Sequence, residues 1–90
     1  MMLKFREIFK DPNGFWSVRD ISVNPRHIVV IKENTTYAKL IQEDLGSGAG
    51  FDKICTIVTV EQEIVVQGEV NELQHHVKRH KKRGRTLLHG

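Results

Sequence analysis

Hydrophobic residues alternate with polar ones at the start of the chain. Over residues 3–9 the pattern has a period of two, which predicts a half-buried strand with three hydrophobic residues on one side, Leu3, Phe5 and Phe9. Residues 11–14 have the sequence Asp-Pro-Asn-Gly, in which proline fixes φ and Asn-Gly tolerates the positive φ of a tight turn. A second β-prone segment follows over residues 15–23, so the pattern predicts a β-hairpin that ends at Asn24-Pro25.

Three later segments are hydrophobic on both faces. Residues 27–33 contain four consecutive β-branched residues, and residues 54–60 and 63–67 have the same character. Only Glu61-Gln62 separates the last two segments, which predicts an antiparallel hairpin even though neither residue favours a turn. The chain therefore contains five predicted strands.

The segment 34–53 interrupts this series of strands. Four of its hydrophobic residues have the spacing of one face of a short helix, and they are Tyr37, Leu40, Ile41 and Leu45. Thr36 is a suitable residue to cap the start of this helix and Gly46 to end it. The glycine-rich residues 46–50 then predict a flexible loop. A β-extension through residues 35–41 is the competing interpretation.

The last predicted element is a helix over residues 69–82. Val70, Leu73 and Val77 are spaced i, i+3 and i+7, so they can pack together on the sheet. Acidic residues occupy its first turn and basic residues its last turns, as the helix dipole favours. Gly84 predicts the end of the helix, and residues 85–90 are expected to fray.

These elements predict an α+β protein that is mainly β. About five antiparallel strands would form a small bent sheet or a partly open barrel, with one short inserted helix and a C-terminal helix. We expect a single domain over residues 1–83, with 34–53 as a flexible insertion, and a basic tail over 84–90. Because a small sheet exposes its edges and 90 residues bury a modest core, a homo-oligomer is expected.

Composition narrows the class of protein. The chain is 39% hydrophobic and 28% charged, which is typical of a globular chain and too apolar for disorder throughout. No hydrophobic run is long enough to cross a bilayer, and the N-terminus has no secretory pattern. A single cysteine, Cys55, cannot form an internal disulfide. We therefore expect a cytoplasmic protein without a membrane segment.

Charge is distributed unevenly along the chain. Residues 75–90 contain no acidic residue and six basic ones, Lys78, Arg79, Lys81, Lys82, Arg83 and Arg85. Since the chain has 14 Lys and Arg in total, residues 1–74 hold the other eight together with all 11 acidic residues, a net charge of −3. An acidic body with a basic tail indicates contact with a polyanion or an acidic protein, although a merely solvated helix end gives the same pattern.

The histidines give little support for a metal site. His76 and His80 have the i, i+4 spacing of zinc-binding helices, with His75 beside them. The residues between the pair are Val-Lys-Arg rather than the Glu-containing motif of a metalloprotease, and the neighbouring cations repel a divalent ion. We therefore predict no metal, no cofactor and a basic face that gains charge as histidines protonate.

No other residues form a convincing catalytic set. Cys55 lies in a predicted buried strand, where a free cysteine behaves as a small hydrophobic residue, and nothing in the spacing brings His27 to it. The glycine run lacks the strand, helix and lysine of a phosphate-binding loop. The carboxylate pairs Glu43-Asp44 and Glu61/Glu63 lie at loops and turns. The sequence therefore predicts no catalytic residue and a protein that is not an enzyme.

Phe15 and Trp16 are adjacent in a predicted strand and must point to opposite faces. An exposed aromatic side chain could stack on a nucleobase, as happens on small nucleic-acid-binding barrels. Packing beneath a helix or in an oligomer interface is the favoured interpretation, because tryptophan is usually buried to a large extent.

The segment 21–31, Ile-Ser-Val-Asn-Pro-Arg-His-Ile-Val-Val-Ile, resembles the small flagellar FlbD-like proteins, in which a strand ends in Asn-Pro and an Ile/Val-rich strand follows. Residues 57–60 and 64–73 are similar to their later strands and closing helix. The resemblance covers about half of the chain and implies a small, non-enzymatic, β-rich protein of bacterial or phage origin. The insertion 34–53, the longer N-terminal hairpin and the basic tail depart from that family.

Two functions of different classes follow. The first is a small binding or regulatory protein whose basic C-terminal helix contacts the phosphates of DNA or RNA, with little sequence specificity because no base-reading motif is present. The alternative is a protein-interaction or assembly component that acts through a sheet edge and the insertion 34–53.

Overall fold

The fold was obtained as a computed structural model, which describes residues 2–46, 51 and 53–89, with side chains described as far as His80. Its five strands are β1 (Leu3–Lys10), β2 (Trp16–Val23), β3 (Ile28–Glu33), β4 (Ile54–Thr59) and β5 (Glu63–Gln67). Its two α-helices are α1 (Thr35–Leu45) and α2 (Val70–His89), and a 3₁₀ turn covers Pro25–His27. The strands form one sheet in the order β2-β1-β5-β4-β3.

All neighbouring strands of the sheet are antiparallel, and the sheet does not close on itself. β2 and β3 are its two edges. The predicted α+β class with five antiparallel strands is therefore confirmed, in the form of an open sheet rather than a partly open barrel. The inserted segment begins with a helix, so its interpretation as a β-extension was wrong.

Residues 11–15 form the turn of the N-terminal hairpin. The Asp11 carboxylate accepts hydrogen bonds from the backbone N–H groups of Asn13 and Phe15, each 2.9 Å long. Gly14 has a φ of +85°, a conformation in which glycine carries no steric penalty. The predicted turn chemistry therefore accounts for this hairpin, although β2 begins at Trp16 and leaves Phe15 in the turn.

The side chain of Thr59 stabilises the β4–β5 turn, in which neither Glu61 nor Gln62 is a favoured turn residue. Its hydroxyl oxygen accepts from the backbone N–H groups of Glu61 and Gln62, at 3.3 Å and 3.0 Å, and the hydroxyl donates to the Gln62 carbonyl at 2.9 Å. The Thr59 hydroxyl thus provides hydrogen-bond partners for the backbone groups of this turn, a role that Ser and Thr side chains often have in turns.

The main hydrophobic core lies between the sheet and α2. Its buried side chains are Leu3, Phe5, Val23, Ile28, Ile31, Cys55, Ile57, Ile64, Val66 and Val77, and the partly buried Val70 and Leu73 pack against them. The predicted stripe Val70, Leu73 and Val77 therefore faces the sheet, which confirms its interpretation as a core-packing surface.

The opposite face of the sheet has a smaller core under α1. Ile8, Ile41 and Ile54 are buried there, and Trp16 and Tyr37 pack against them. The predicted placement of Phe9 on the same buried side as Leu3 and Phe5 is only partly right, because Phe9 is half-buried. Ile8, on the other face of β1, is the buried residue, since α1 covers that face.

Helix α1 begins two residues earlier than the capping interpretation required. Its cap is Asn34, whose side-chain oxygen accepts from the Tyr37 N–H at 2.9 Å, whereas Thr36 lies within the first turn. Asparagine is a strong capping residue, and here its Nδ2 also donates to the Thr56 hydroxyl at 2.8 Å. Gly46 ends the helix as predicted, with a φ of +81°. Residues 47–50 and 52 lie outside the described residues, as does the flexible loop predicted there.

Helix α2 starts at Val70, where the Glu69 carboxylate accepts from the Glu72 N–H at 3.0 Å. The expected end of the helix at Gly84 was wrong, because the helical backbone continues to His89. A glycine inside a helix costs about 1 kcal/mol relative to alanine, which weakens the helix without ending it.

Candidate polyanion-binding helix

Helix α2 has two parts with different surroundings. Up to Val77, which is buried, its hydrophobic stripe packs on the sheet. Lys78 and Arg79 follow directly, and both are exposed. The remaining predicted contact residues, Lys81, Lys82, Arg83 and Arg85, lie on the same continuous helical backbone, and their side chains are outside the described residues. All six predicted cations therefore belong to one helix.

The helical backbone arranges these positions in rows. Positions 78, 82 and 85 are spaced i, i+4 and i+7, so they share one side of the helix, and positions 79 and 83 share a neighbouring side. The basic segment, residues 78–85, is helical and rises about 1.5 Å per residue, which gives it a length comparable to several phosphate spacings along a nucleic-acid strand.

The sheet contains five basic residues. Three of them are paired with carboxylates across the β1–β2 hairpin or with α1: Arg6 with Asp20 at 3.6 Å, Lys10 with Asp44 at 3.5 Å and Arg19 with Glu7 at 2.6 Å. Neither Lys78 nor Arg79 forms an ion pair with a carboxylate in the part of the chain that the structure describes. Their charges are therefore available to a ligand.

Arg26 is a basic residue near this helix that the sequence analysis did not single out. The 3₁₀ turn Pro25–His27 packs against α2, and Arg26 is exposed on that turn. The Asn24 side chain fixes the turn by accepting from the Arg26 N–H at 3.0 Å. The sequence Asn-Pro-Arg was the available signal for this turn. Only the packing of the turn on α2 places Arg26 near the basic helix.

His76 and His80 are in contact on one side of α2. Their ring centroids are 4.7 Å apart at an interplanar angle of 72°, and the His80 Nδ1–H donates to the His76 carbonyl at 3.0 Å. Burial lowers the pKa of His76 below its usual value, and the nearby His80 and Arg79 lower it further. His75 is exposed. Within the described residues, no three His, Cys, Asp or Glu side chains are grouped as a metal site would require.

Cys55 and His27 are not brought together. Cys55 is buried, lies opposite Val66, and donates from Sγ to the Gly68 carbonyl at 3.3 Å. His27 precedes Ile28, which pairs with Thr59 at the other end of β4. Burial raises the pKa of the Cys55 thiol, and Glu69 and Glu33 raise it further, so the thiolate that a nucleophile requires is disfavoured.

The two adjacent aromatic residues have different environments. Trp16 packs under α1, where its ring meets Tyr37 edge to face at 5.4 Å and its Nε1–H donates to Asp44 at 2.7 Å. This agrees with the favoured packing interpretation. Phe15 is 70% exposed on the hairpin turn.

An open cleft of about 190 Å³ lies where α1 leaves the sheet, lined in part by Glu33, Asn34, Lys39 and Gln42. It is smaller than typical small-molecule sites, which begin at about 300 Å³.

The paired carboxylates of the sequence analysis are not assembled into a site, since Asp44 is bound to Trp16 and Lys10 while Glu43 is exposed. Helix α2 is therefore the strongest candidate site.

Comparison with protein-family models, with curated proteins and with solved structures finds no match for this chain. Among the described helices, none is both long and apolar enough to cross a membrane. The resemblance to the FlbD-like proteins stays a prediction.

Proposed function

We propose that this chain is a small, non-enzymatic binding protein whose helix α2 contacts the phosphates of nucleic acid. The observation that carries the proposal is the run of cations on α2, which begins with the exposed Lys78 and Arg79, neither of which is paired with a carboxylate among the described residues. Four further cations follow on the same helix without an intervening acid. A phosphate backbone is a suitable ligand because it presents regularly spaced negative charges.

The acidic body supports this proposal by restricting how a polyanion can approach. Residues 1–74 carry a net charge of −3, so the body repels a phosphate backbone while the basic segment attracts it. Arg26, on the 3₁₀ turn that packs against α2, adds an exposed cation near this helix. Contacts of this kind position a protein on nucleic acid without reading its sequence.

Fluorescence anisotropy across a salt series tests the proposal directly, with duplex DNA and single-stranded RNA as probes. If all six cations engage duplex phosphates, the slope of log Kobs against log salt approaches about −5, since each contact contributes about 0.9. Flat and weak binding to both probes would overturn the proposal.

A pair of matched variants locates the contact. Replacing Lys78, Arg79 and Lys82 with glutamine should reduce the magnitude of the slope by about 2.7, at about 0.9 per lost contact. The control replaces Lys4, Lys39 and Lys53, three exposed lysines of the body, with glutamine. Both variants lose three positive charges, so net charge alone predicts equal effects and a contact by α2 predicts a reduced slope for the first variant only.

An exposed hydrophobic patch favours a second candidate function, protein interaction or assembly. Val29, Val30 and Val60 are 65%, 45% and 67% exposed near one end of edge strand β3. The Val60 N–H donates to the His27 carbonyl at 3.0 Å, which holds the β4–β5 turn beside this edge. Sedimentation velocity of the full chain and of Val30→Lys tests this candidate. A self-associating protein that becomes monomeric on substitution supports it, and a monomer at all concentrations that retains no partner contradicts it.

A further inference from the structure

The His76–His80 pair lies on the same side of α2 as part of the basic segment. Positions 76, 79, 80 and 83 are spaced i, i+3, i+4 and i+7, so one side of the helix carries two histidines and two arginines. Both histidines are half-buried, whereas Arg79 is exposed. A phosphate bound at Arg79 therefore lies within about one helical turn of both imidazoles.

The contact between the two rings makes their protonation states interdependent. At a centroid separation of 4.7 Å, a second positive charge is opposed by the first. The bond from the His80 Nδ1–H to the His76 carbonyl is compatible with either protonation state, because that nitrogen carries a proton in both. Protonation therefore adds charge to the pair without removing the bond that holds it.

The surroundings of His76 disfavour its protonation in the free protein. The main contacts of α2 are with β3 and the 3₁₀ turn, whose titratable or charged side chains, Lys32, Glu33, Arg26 and His27, are all exposed. The influences on the pKa of His76 are burial, His80 and Arg79, and all three lower it. A bound anion near Arg79 supplies the missing negative charge.

We infer that the His76–His80 pair couples nucleic-acid binding by α2 to proton uptake, so that the protein binds phosphate more tightly at mildly acidic pH than near neutrality. This inference rests on the proposed function and adds a regulation to the same site. A phosphate close to the pair favours the charged imidazolium, and by linkage a proton on the pair favours the phosphate.

The direction and size of the effect follow from linkage. Burial, His80 and Arg79 lower the pKa of His76 in the free protein, and a bound phosphate raises the pKa of His76. Affinity therefore increases as the pH falls from the pKa of the bound form to the lower pKa of the free form, and stays constant above and below this window. Each unit of increase in pKa on binding strengthens binding about tenfold.

The test is anisotropy with a short rhodamine-labelled duplex DNA, measured across a salt series at about pH 7.5 and about pH 5.5, on either side of the usual histidine pKa. The wild-type chain should bind about tenfold more tightly at the lower pH, which corresponds to one unit of pKa increase. His76→Gln/His80→Gln should bind like wild type at the higher pH and show little gain at the lower pH. Circular dichroism verifies that the variant keeps its helix content.

The matched control is His27→Gln/His75→Gln, which removes the other two described histidines, both exposed. It should keep most of the gain. A gain in the His76/His80 variant equal to that of wild type overturns the inference, as does binding that depends on salt but not on pH, and this last result leaves the proposed function standing. An absence of salt-dependent binding at both pH values overturns the inference and the proposed function together.

Proton uptake provides an independent measurement of the same coupling. Calorimetric titration of the DNA in buffers with different ionisation enthalpies reports how many protons are bound. Net uptake near pH 6 that is lost in His76→Gln/His80→Gln supports the inference. Equal uptake in both proteins overturns it.

Discussion

The side-chain amide of Gln74 donates a 2.9 Å hydrogen bond from Nε2 to the backbone carbonyl of Ile31. A residue of α2 thus binds a main-chain acceptor of β3, one of the two edges of the sheet. Edge strands present backbone groups to which other chains can add, so a side chain that occupies one of them protects the edge. The same bond also ties the start of the basic helix to the sheet.

Gln74→Leu should lower the free energy of unfolding by about 1 kcal/mol, because the Ile31 carbonyl loses its donor. It should also increase self-association, since the edge of β3 becomes more accessible. Urea unfolding and sedimentation velocity measure the two effects. Gln42→Leu, at an exposed position of α1, is the control for the added hydrophobic surface. Equal behaviour of the two variants would show that the Gln74 bond contributes nothing.

Asp44 joins α1 to the N-terminal hairpin, since its carboxylate accepts from Trp16 Nε1 and lies 3.5 Å from Lys10 Nζ. Asp44→Ala should reduce stability by about 1 kcal/mol, mainly through the loss of the charge-assisted hydrogen bond. Trp16 is the only tryptophan, so its fluorescence emission reports the change directly. Glu43→Ala, at the exposed neighbouring position, should alter stability by less than about 0.5 kcal/mol and leave the emission unchanged.

Two substitutions test whether Asn34 or Thr36 caps the start of α1. Asn34→Ala should cost about 1–2 kcal/mol, because it removes the acceptor for the Tyr37 N–H. Thr36→Ala should cost less than about 0.5 kcal/mol, since Thr36 is exposed within the first turn. Thermal or urea unfolding of both variants provides the comparison. A larger loss for Thr36→Ala would restore Thr36 as the cap.

Cys55 should react slowly with a disulfide reagent in the folded protein. Because the pKa of its thiol is raised, the reactive thiolate is scarcer than in an unfolded chain at the same pH, and burial adds a steric barrier. The rate should increase as the pH rises, and it should reach the value of an ordinary thiol only in denaturant. Rapid labelling of the native protein near neutral pH would contradict both the burial and the direction of the pKa shift.

The five strands and the hydrophobic face of α2 were predictable because each depends on local pattern. The alternation around Leu3 and Phe5 and the run 28–31 both survive in the fold. The burial of Ile8 was not predictable, because it depends on α1 returning to the second face of the sheet. Asn34 and Thr36 are both good capping residues, and only the fold shows that Asn34 accepts from the Tyr37 N–H and contacts Thr56.

The candidate site also combines features that the sequence predicts with features that depend on the tertiary fold. The six cations are evident from the sequence, since charge needs no tertiary information. The pairing of Arg6, Lys10 and Arg19 with carboxylates depends on strand register and on the position of α1. The proximity of the turn that carries Arg26 depends on the packing of α2. Those tertiary contacts are what distinguish the available cations from the engaged ones.

The junction between β1 and β5 has a consequence for the order of folding. Glu7 lies opposite Val66, so the strand pair at the interior of the sheet joins residues about 60 positions apart, whereas the β1–β2 and β4–β5 hairpins join close neighbours. Each hairpin can close on its own within microseconds, but neither has a complete core until the two meet. We therefore expect the entropy of closing this long loop, rather than turn formation, to set the folding rate of the chain.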